Sequence, residues 1–439
     1  MNFSDIKFWE QAFELKSSLL EGHEPDWLSK IRKLAFLNFL KQGLPHNKLE
    51  DWKYNDLNKL LSRDACFAES DGGQMLSDIE LPNYINSHCL VFVNGRYCPA
   101  LSLRNAFSAN INIYSFSEAV KIIPEVMKSL WLKKTYLTQQ VFASLNTAFA
   151  EEGYVLHIPR DVQSVLPIYI LFIGDHAHKN SVAHTHNFVL LEKGSKATLV
   201  EHFYDNVTEE SYIHSNFTEM HLFDNAELMH YHLGDASWGA CHLADWHVSQ
   251  GKNSVFQSFS CALGSDFSRH DLQVQLNASG AQCDLRGLYH ARQTQELDYH
   301  TSINHVKPNC KSHEYYKGIL NDSGHGIFNG KVMVSPNAQK SQTSQVNKNL
   351  LLSDRAEIDT KPELKIYADD VKCTHGATVG QLEEDEIFYL RARGMGEQAA
   401  RQLLLEVFVS DIVNAIDIAM LRDYVSHRIL STLEVSCGS

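Results

Sequence analysis

The chain has 439 residues, of which 44% are hydrophobic and 21% are charged. This is ordinary globular usage, and the length suffices for about two or three domains. The net charge of −14 argues against nucleic acid as the main partner, because proteins that bind it usually carry a basic face. The sequence shows neither a signal peptide nor an apolar run long enough to span a membrane, so we expect a cytoplasmic protein with no membrane partner. The nine dispersed cysteines, none in a C-x-x-C motif, fit reduced thiols.

The N-terminal region, residues 1–150, is predicted to be mostly helical. Apolar residues recur at helical spacing over 8–20 and again over 27–40. A β-hairpin is expected around an Asn-Gly turn at 94–95. The helical rhythm then returns over 115–150, before β-type runs begin at about residue 154.

The middle region, residues 151–385, is predicted to be a β domain. Short β-type runs alternate there with turn residues, and such strands can form a sandwich, a barrel or a solenoid. A weak repeat of a turn, a small residue and an apolar residue favours a solenoid, because its spacing is roughly 27–30 residues with one longer gap. A jelly-roll-like sandwich remains the alternative. The repeat is seen at 194–199, 224–228, 252–256, 279–283 and 353–358.

The C-terminal region, residues 386–439, is predicted to be helical again. Its apolar residues continue from Ala399 to Ile429 and form a face that is too wide for a lone helix in water. Two explanations are open at this point. The face docks on the chain's own β domain, or it docks on a partner protein.

The sequence offers few catalytic signatures. It contains no phosphate-binding loop, dinucleotide-binding glycine motif, zinc-protease motif or nucleophile elbow, which favours a binding or scaffold role over an enzyme. The 23 histidines include H-x-H pairs at 176–178, 184–186 and 230–232. Both rings of such a pair would share one strand face and could suit a metal. Surface or satisfied interior histidines are the favoured interpretation, because no carboxylate or third ligand lies at the spacing of a metal motif.

One cluster near the end of the β domain carries metal-ligand chemistry. Cys373 and His375 are two residues apart and would face the same side of an extended strand. Thiolate and imidazole are ligands for iron or an iron–sulfur cluster. We expect Lys372 to favour the thiolate and the carboxylates at 369–370 to orient the imidazole. Two ligands leave the site incomplete, so a second chain, sulfide or water would supply the rest. The other interpretation is that Cys373 and His375 are buried structural side chains without a metal.

Three long segments resemble the D-type scaffold subunits of the SUF iron–sulfur cluster assembly system, in the SufB/SufD family. They are KLEDWKYNDLNKL at 48–60, the stretch from HEYYKGILND to NLLLS at 313–353, and the stretch from AEIDTKPELK to ARQLL at 356–404. The related B-type subunits tend to carry a longer N-terminal part with a cysteine-rich motif. That motif is not found in this sequence, and the ADDVKCTHGATVG segment also resembles the D type.

The resemblance implies a right-handed parallel β-helix flanked by helical N- and C-terminal parts. It implies a complex with a B-type scaffold subunit and an ABC-type ATPase, held by the C-terminal helices, on which nascent clusters form. The family's cluster site at the B–D interface maps onto His375, with Cys373 as the neighbouring cysteine. A transient iron–sulfur cluster and no permanent cofactor are therefore expected. A flavin is associated with the family's complex, but no motif marks one here, and the isolated chain could form a homodimer.

Two other function classes stay open from the residues alone. A β-helix carbohydrate-active enzyme would need a cleft with paired acids, whereas acids such as Asp271 and Asp284 are isolated in the sequence. A cupin-like metal enzyme would use the H-x-H pairs as ligands. Metal content and co-purification with an ATPase would separate these two classes from a scaffold.

Overall fold

Helices lie towards both ends of the chain. The computed structural model describes residues 3–64, 66–67, 82, 88–103, 111–132, 140–174, 180–205 and 212–436. The helices are α1 (Ile6–Leu20), α2 (Asp26–Gln42), a 3₁₀ turn (Glu50–Trp52), α3 (Asn58–Leu61), α4 (Phe116–Ile122), α5 (Pro124–Leu132), α6 (Val141–Phe149), α7 (Glu384–Ala392), α8 (Glu397–Val413) and α9 (Ala419–Ser436).

The strands fill the region between these helices. Four short strands come first: β1 (Cys66–Phe67), β2 (Cys89–Val93), β3 (Arg96–Tyr97) and β4 (Asn112–Ser115). The repeating strands are β5 (Tyr154–Ile158), β6 (Ile168–Gly174), β7 (Ser181–Leu191), β8 (Lys196–Asp205), β9 (Tyr212–Leu222), β10 (Glu227–Asp235), β11 (Ala240–Gln250), β12 (Val255–Ala262), β13 (Phe267–Leu276), β14 (Gln282–Ala291), β15 (Glu296–His305), β16 (Lys311–Leu320), β17 (His325–Val334), β18 (Gln342–Leu351), β19 (Glu357–Ile366) and β20 (Lys372–Gly380).

The repeating strands alternate between two sheets. The first sheet runs from β19 through the odd-numbered strands to β5 and ends at β4, and the second runs from β20 through the even-numbered strands to β6, β2 and β3. Neighbouring repeating strands are parallel throughout. Apolar residues of both sheets meet in one core between them. The predicted parallel β-solenoid is therefore confirmed, and the jelly-roll alternative is wrong.

The turns before the six strands from β8 to β18 of the second sheet repeat one backbone conformation. The first residue of each turn has a positive φ, a region that glycine and asparagine enter at low cost, and the next residue is small and buried. The register of the second sheet gives coils of 27 to 31 residues, as the repeat predicted. The positive-φ residues are Gly194, Asn225, Asn253, Gly280, Asn309 and Lys340, and the small residues are Ser195, Ala226, Ser254, Ala281, Cys310 and Ser341.

The N-terminal region matches the helical prediction. The hairpin of β2 and β3 turns at Asn94 and Gly95, which both have positive φ. Over 115–150, where the sequence has a helical rhythm, the described residues form the three helices α4, α5 and α6. Ser115 caps α4 in a capping box with Glu118, and Pro124 is the first residue of α5.

The segment at 48–60 attaches the N-terminal region to the first sheet. The Arg269 guanidinium lies over the Trp52 ring at 3.7 Å, a cation–π contact. Arg269 also donates to the Asp298 carboxylate at 2.8 Å, and the Asn55 amide donates to the same carboxylate at 2.9 Å. Because these charged groups are buried together, each offsets the desolvation of the others.

The C-terminal helices pack on the outer face of the second sheet. Leu405 and Val409 of α8 and Ile429 of α9 are buried there among apolar residues of the strands. Docking of the apolar face on the chain's own β domain is thus confirmed for these residues. Phe388 and Val407, however, remain 72% and 60% exposed. Among the described residues, no helix is long and apolar enough to span a membrane.

A fully buried carboxylate organises the polar part of the core. Glu201 accepts hydrogen bonds from the Tyr154 hydroxyl at 3.0 Å, the Thr218 hydroxyl at 3.1 Å and the Trp246 indole at 2.8 Å, and it pairs with the His230 ring at 3.0 Å. Burial alone would raise the pKa of Glu201, but His230 and these donors hold it below its usual value. The carboxylate on β8 therefore joins strands of both sheets, β10 of the second and β5, β9 and β11 of the first.

Replacing Glu201 by Ala should strongly destabilise the solenoid, because four buried polar groups lose their shared partner. We expect a loss of about 3–5 kcal/mol in the free energy of unfolding, measured by urea denaturation followed by circular dichroism. Glu227→Ala is the matched control, since Glu227 is a half-exposed carboxylate paired with Lys196. It should cost at most about 1 kcal/mol. Equal effects of the two substitutions would contradict the assigned role of Glu201.

Candidate functional site

The candidate site lies at the C-terminal end of the solenoid. At the other end, antiparallel β4 follows β5, and helices α4 and α5 pack against Val155 and Phe188 of β5 and β7. At the C-terminal end, β19 and β20 are the last strands of the two sheets, and within the described residues no strand pairs with their outer edges. Unpaired backbone groups at such an edge are a template for another chain.

Cys373 and His375 both lie on the edge strand β20. In register they continue the inward positions of Thr343 and Gln345 on β18. Cys373 is half-buried and packs against the core, whereas His375 is exposed. Because side chains alternate along a strand, both residues belong to the inward face of the last coil. Their exposure follows from the open end of the solenoid.

The electrostatics of Cys373 differ from the sequence-based expectation. Burial raises the pKa of the Cys373 thiol above its usual value. Lys372 alternates to the opposite face of β20, where it borders an outer groove of about 460 Å³ with Lys311 and His313. The expectation that Lys372 favours a thiolate is therefore wrong. In this chain Cys373 is a neutral thiol near pH 7, a weaker ligand than its thiolate.

The carboxylates at 369–370 belong to the turn that precedes β20. The Asp370 backbone N–H donates to the Gln339 side chain at 2.9 Å, and its carbonyl accepts from the Lys340 backbone. These contacts tie the last turn to the preceding one. The structure thus assigns Asp370 to the turn before β20, whereas His375 lies within the strand.

Two buried polar residues stand behind His375 and were not recognised from the sequence. Gln345 and Glu314 occupy the same inward position in the two preceding coils, and they are 0% and 1% exposed. Burial raises the pKa of Glu314 to about 7. Aligning the sequence on the coil length of 27 to 31 residues would have placed these residues in one column with His375.

The two H-x-H pairs within the described residues do not form a metal site. His186 pairs with Glu219 at 2.7 Å and His230 with Glu201 at 3.0 Å, both deep in the protein. Burial lowers the pKa of His184 to about 3, so its ring is neutral. The pair at 176–178 lies outside the described residues. Among the residues that the structure describes, no group of three histidine, cysteine or acidic side chains can hold a metal ion, and the cupin-like interpretation finds no support.

The acids considered for a carbohydrate-active enzyme are each engaged in ion pairs. Asp271 pairs with Arg269 at 2.7 Å, and Asp284 pairs with Arg286 at 3.0 Å. They lie on different sheets, on β13 and β14 respectively. A pair of carboxylates that flanks a glycosidic bond needs a shared cleft, so these two residues do not provide one.

Comparison with known proteins agrees with this architecture. Residues 172–408 match the family model described as the SUF system FeS cluster assembly, SufBD core domain. Residues 4–170 match the model of the SufBD protein N-terminal region. The chain belongs to the SufBD family. The resemblance seen in the three sequence segments is thereby confirmed, and it extends over both halves of the chain.

Relatives with curated names support the same assignment. The chain is 31% identical to the iron–sulfur cluster assembly protein SufD of Escherichia coli, over 97% of this chain and 96% of that protein. It is 32% identical to an iron–sulfur cluster assembly SufBD family protein of Synechocystis, over 93% of this chain and 91% of that protein. SufD of Bacillus subtilis is 23% identical, with 96% of each chain covered. The similarity to SufD proteins thus spans nearly the full length.

Proposed function

We propose that this member of the SufBD family is a non-catalytic, D-type scaffold subunit for iron–sulfur cluster assembly in the cytoplasm. The observation that carries the proposal is the open end of the solenoid, where the edge strand β20 presents Cys373 and His375. The three parts of the chain would then have separate tasks. Residues 1–150 support the solenoid, 151–385 form the scaffold, and 386–439 hold an ATPase.

The free edge of β20 suits a B-type scaffold subunit as its partner. Natural edge strands that avoid pairing carry prolines or several lysines. Strand β19 has such features in Pro362, Lys361 and Lys365, whereas β20 has no proline and a single charge at Lys372. A second β-solenoid placed against β20 would continue the second sheet and bury its inward residues. A second copy of this chain could use the same edge in a homodimer.

His375 is the better of the two candidate cluster ligands. A neutral imidazole can donate a lone pair to iron without losing a proton, whereas the neutral Cys373 thiol must first be deprotonated. The cluster is the cargo of this scaffold, so a site completed by the partner's ligands and by sulfide would allow release. We propose that the cluster is bound transiently at the interface and that the chain holds no permanent cofactor.

The exposed apolar residues of the C-terminal helices suit the ABC-type ATPase. Phe388 and Tyr389 of α7 are 72% and 55% exposed, and Val407 of α8 is 60% exposed. Exposed large aromatic and aliphatic side chains of this kind are typical of interaction sites. The chain has no phosphate-binding loop of its own, so ATP hydrolysis would belong to the partner.

The ligand role of His375 predicts a specific defect. His375→Ala should leave the complex with the B-type subunit and the ATPase assembled, yet lower the cluster absorbance per complex. Removing a group that only orients a metal ligand lowers metal affinity about 10–100-fold. Removing the ligand itself should lower cluster binding at least as much. Cys373→Ala should have a smaller effect, because its thiol is protonated and half-buried.

The same measurement separates this role from simple packing. If His375 only packs at the interface, its replacement lowers assembly and cluster content together. An unchanged cluster absorbance per assembled complex in His375→Ala would remove His375 from the set of ligands.

The docking role of the C-terminal helices predicts a second defect. Phe388→Asp or Val407→Asp should reduce co-purification of the ATPase by about tenfold or more, because each buries a carboxylate in an apolar contact. The solenoid should stay folded, since both residues are exposed. Leu34→Asp is the matched control, because Leu34 is 66% exposed on α2 of the N-terminal region. Undiminished co-purification of both C-terminal variants would show that this face does not bind the ATPase.

A further inference from the structure

Gln345 lies directly behind His375 on the inward face of the second sheet. The strand register pairs Gln345 of β18 with His375 of β20 on one side and with Glu314 of β16 on the other. Gln345 and Glu314 are completely buried, whereas His375 is exposed. A column of polar side chains thus leads from the core of the solenoid to the candidate ligand at its open end.

The amide group of Gln345 is held from two sides. Its Nε2 donates a hydrogen bond to Oε2 of Glu314 at 2.7 Å. Across the core, a Cβ atom at Gly330 of β17 would lie 1.9 Å from the same Nε2, so only glycine leaves room for the amide. The contact with Glu314 and the closeness of Gly330 together fix where the amide lies and which of its ends faces the core.

This arrangement leaves the other end of the amide without a donor. Oε1 of Gln345 is buried and accepts no hydrogen bond from the described residues. An unpaired buried acceptor of this kind costs about 1–3 kcal/mol. The next inward side chain in the column is the imidazole of His375, and a neutral imidazole carries one N–H donor. A histidine that binds a metal through one ring nitrogen almost always donates the N–H of the other to an oxygen acceptor.

We propose that Gln345 is the positioning residue of His375. When a partner closes the end of the solenoid, Oε1 of Gln345 accepts the ring N–H of His375, and the other ring nitrogen is turned toward the iron. Glu314 assists by accepting from Nε2, because this keeps Oε1 directed at the last coil. The inference rests on the proposed function, since a positioned imidazole matters only if His375 is a ligand.

The test follows the His375 ring itself in the assembled, iron-free complex. Exchange of the imidazole C2 hydrogen for deuterium, read by mass spectrometry of the His375 peptide, reports how tightly the ring is held. Gln345→Met keeps the length of the side chain but removes both polar atoms, so His375 should exchange several-fold faster. Gln345→Asn is the second variant, in case the Met variant does not fold, because it retains a polar group. Its shorter side chain withdraws the oxygen from His375, so the same faster exchange is expected.

Two further variants serve as a rescue and as a control. Gln345→Glu combined with Glu314→Gln exchanges the donor and the acceptor of the buried contact, keeps an acceptor for the ring N–H and should restore slow exchange. Thr343→Val is the matched control, because Thr343 is an inward residue of the same strand that accepts from Ser312 at 2.8 Å and lies in register with Cys373. It should leave His375 exchange unchanged. With iron and sulfide supplied, Gln345→Met should hold the cluster about 10–100-fold less tightly.

The outcomes separate this inference from the proposed function. The positioning role would be overturned if His375 exchanged at the wild-type rate in assembled complexes of both Gln345→Met and Gln345→Asn. If the cluster were then lost only in His375→Ala, His375 would remain a ligand. A cluster retained in His375→Ala would overturn both. Faster exchange together with weaker cluster binding in the Gln345 variants, but not in Thr343→Val, is the result that the structure predicts.

Discussion

A parallel solenoid joins every strand to the coils before and after it, so its last coil must end in an unpaired edge. In this chain the first coils are covered by β4 and by helices, whereas β19 and β20 end the two sheets of the described structure. An inward position that is fully buried at Gln345 is therefore exposed one coil later at His375. The same feature of the fold creates a surface for a second solenoid and presents the side chain that this surface would enclose. The proposed assembly and the proposed chemistry thus depend on one edge.

The solenoid was predictable because its turns demand particular residues. A positive φ at the start of a turn favours glycine or asparagine, and tight packing below it favours a small residue, so the pattern recurs once per coil. The sequence repeat did not reveal two of the coils. In one of them Lys340 takes the place of glycine, and in the other Cys310 is the small residue. These two coils account for most of the longer gap in the repeat, and the turn at Ala356 is a different one that precedes β19 of the first sheet.

The polar interior was not predictable from local patterns. Whether a histidine binds a metal or pairs with a buried carboxylate depends on residues in other coils, as the contact of His230 with Glu201 shows. Likewise, Lys372 is next to Cys373 in sequence but on the opposite face of the strand, so burial alone decides the direction of the pKa shift of the thiol. The spacing of Cys373 and His375 marked both as candidate ligands, and the family resemblance then singled out His375. Gln345 behind it became visible only through the strand register.

The central claim, that another chain continues the solenoid from β20, is tested most directly by backbone hydrogen–deuterium exchange. The isolated chain and its complex with the B-type subunit should be compared peptide by peptide. We predict that Lys372–Gly380 becomes protected in the complex, whereas Asp26–Gln42 in the N-terminal region exchanges as before. A complex that forms while the amides of β20 remain unprotected would contradict this account.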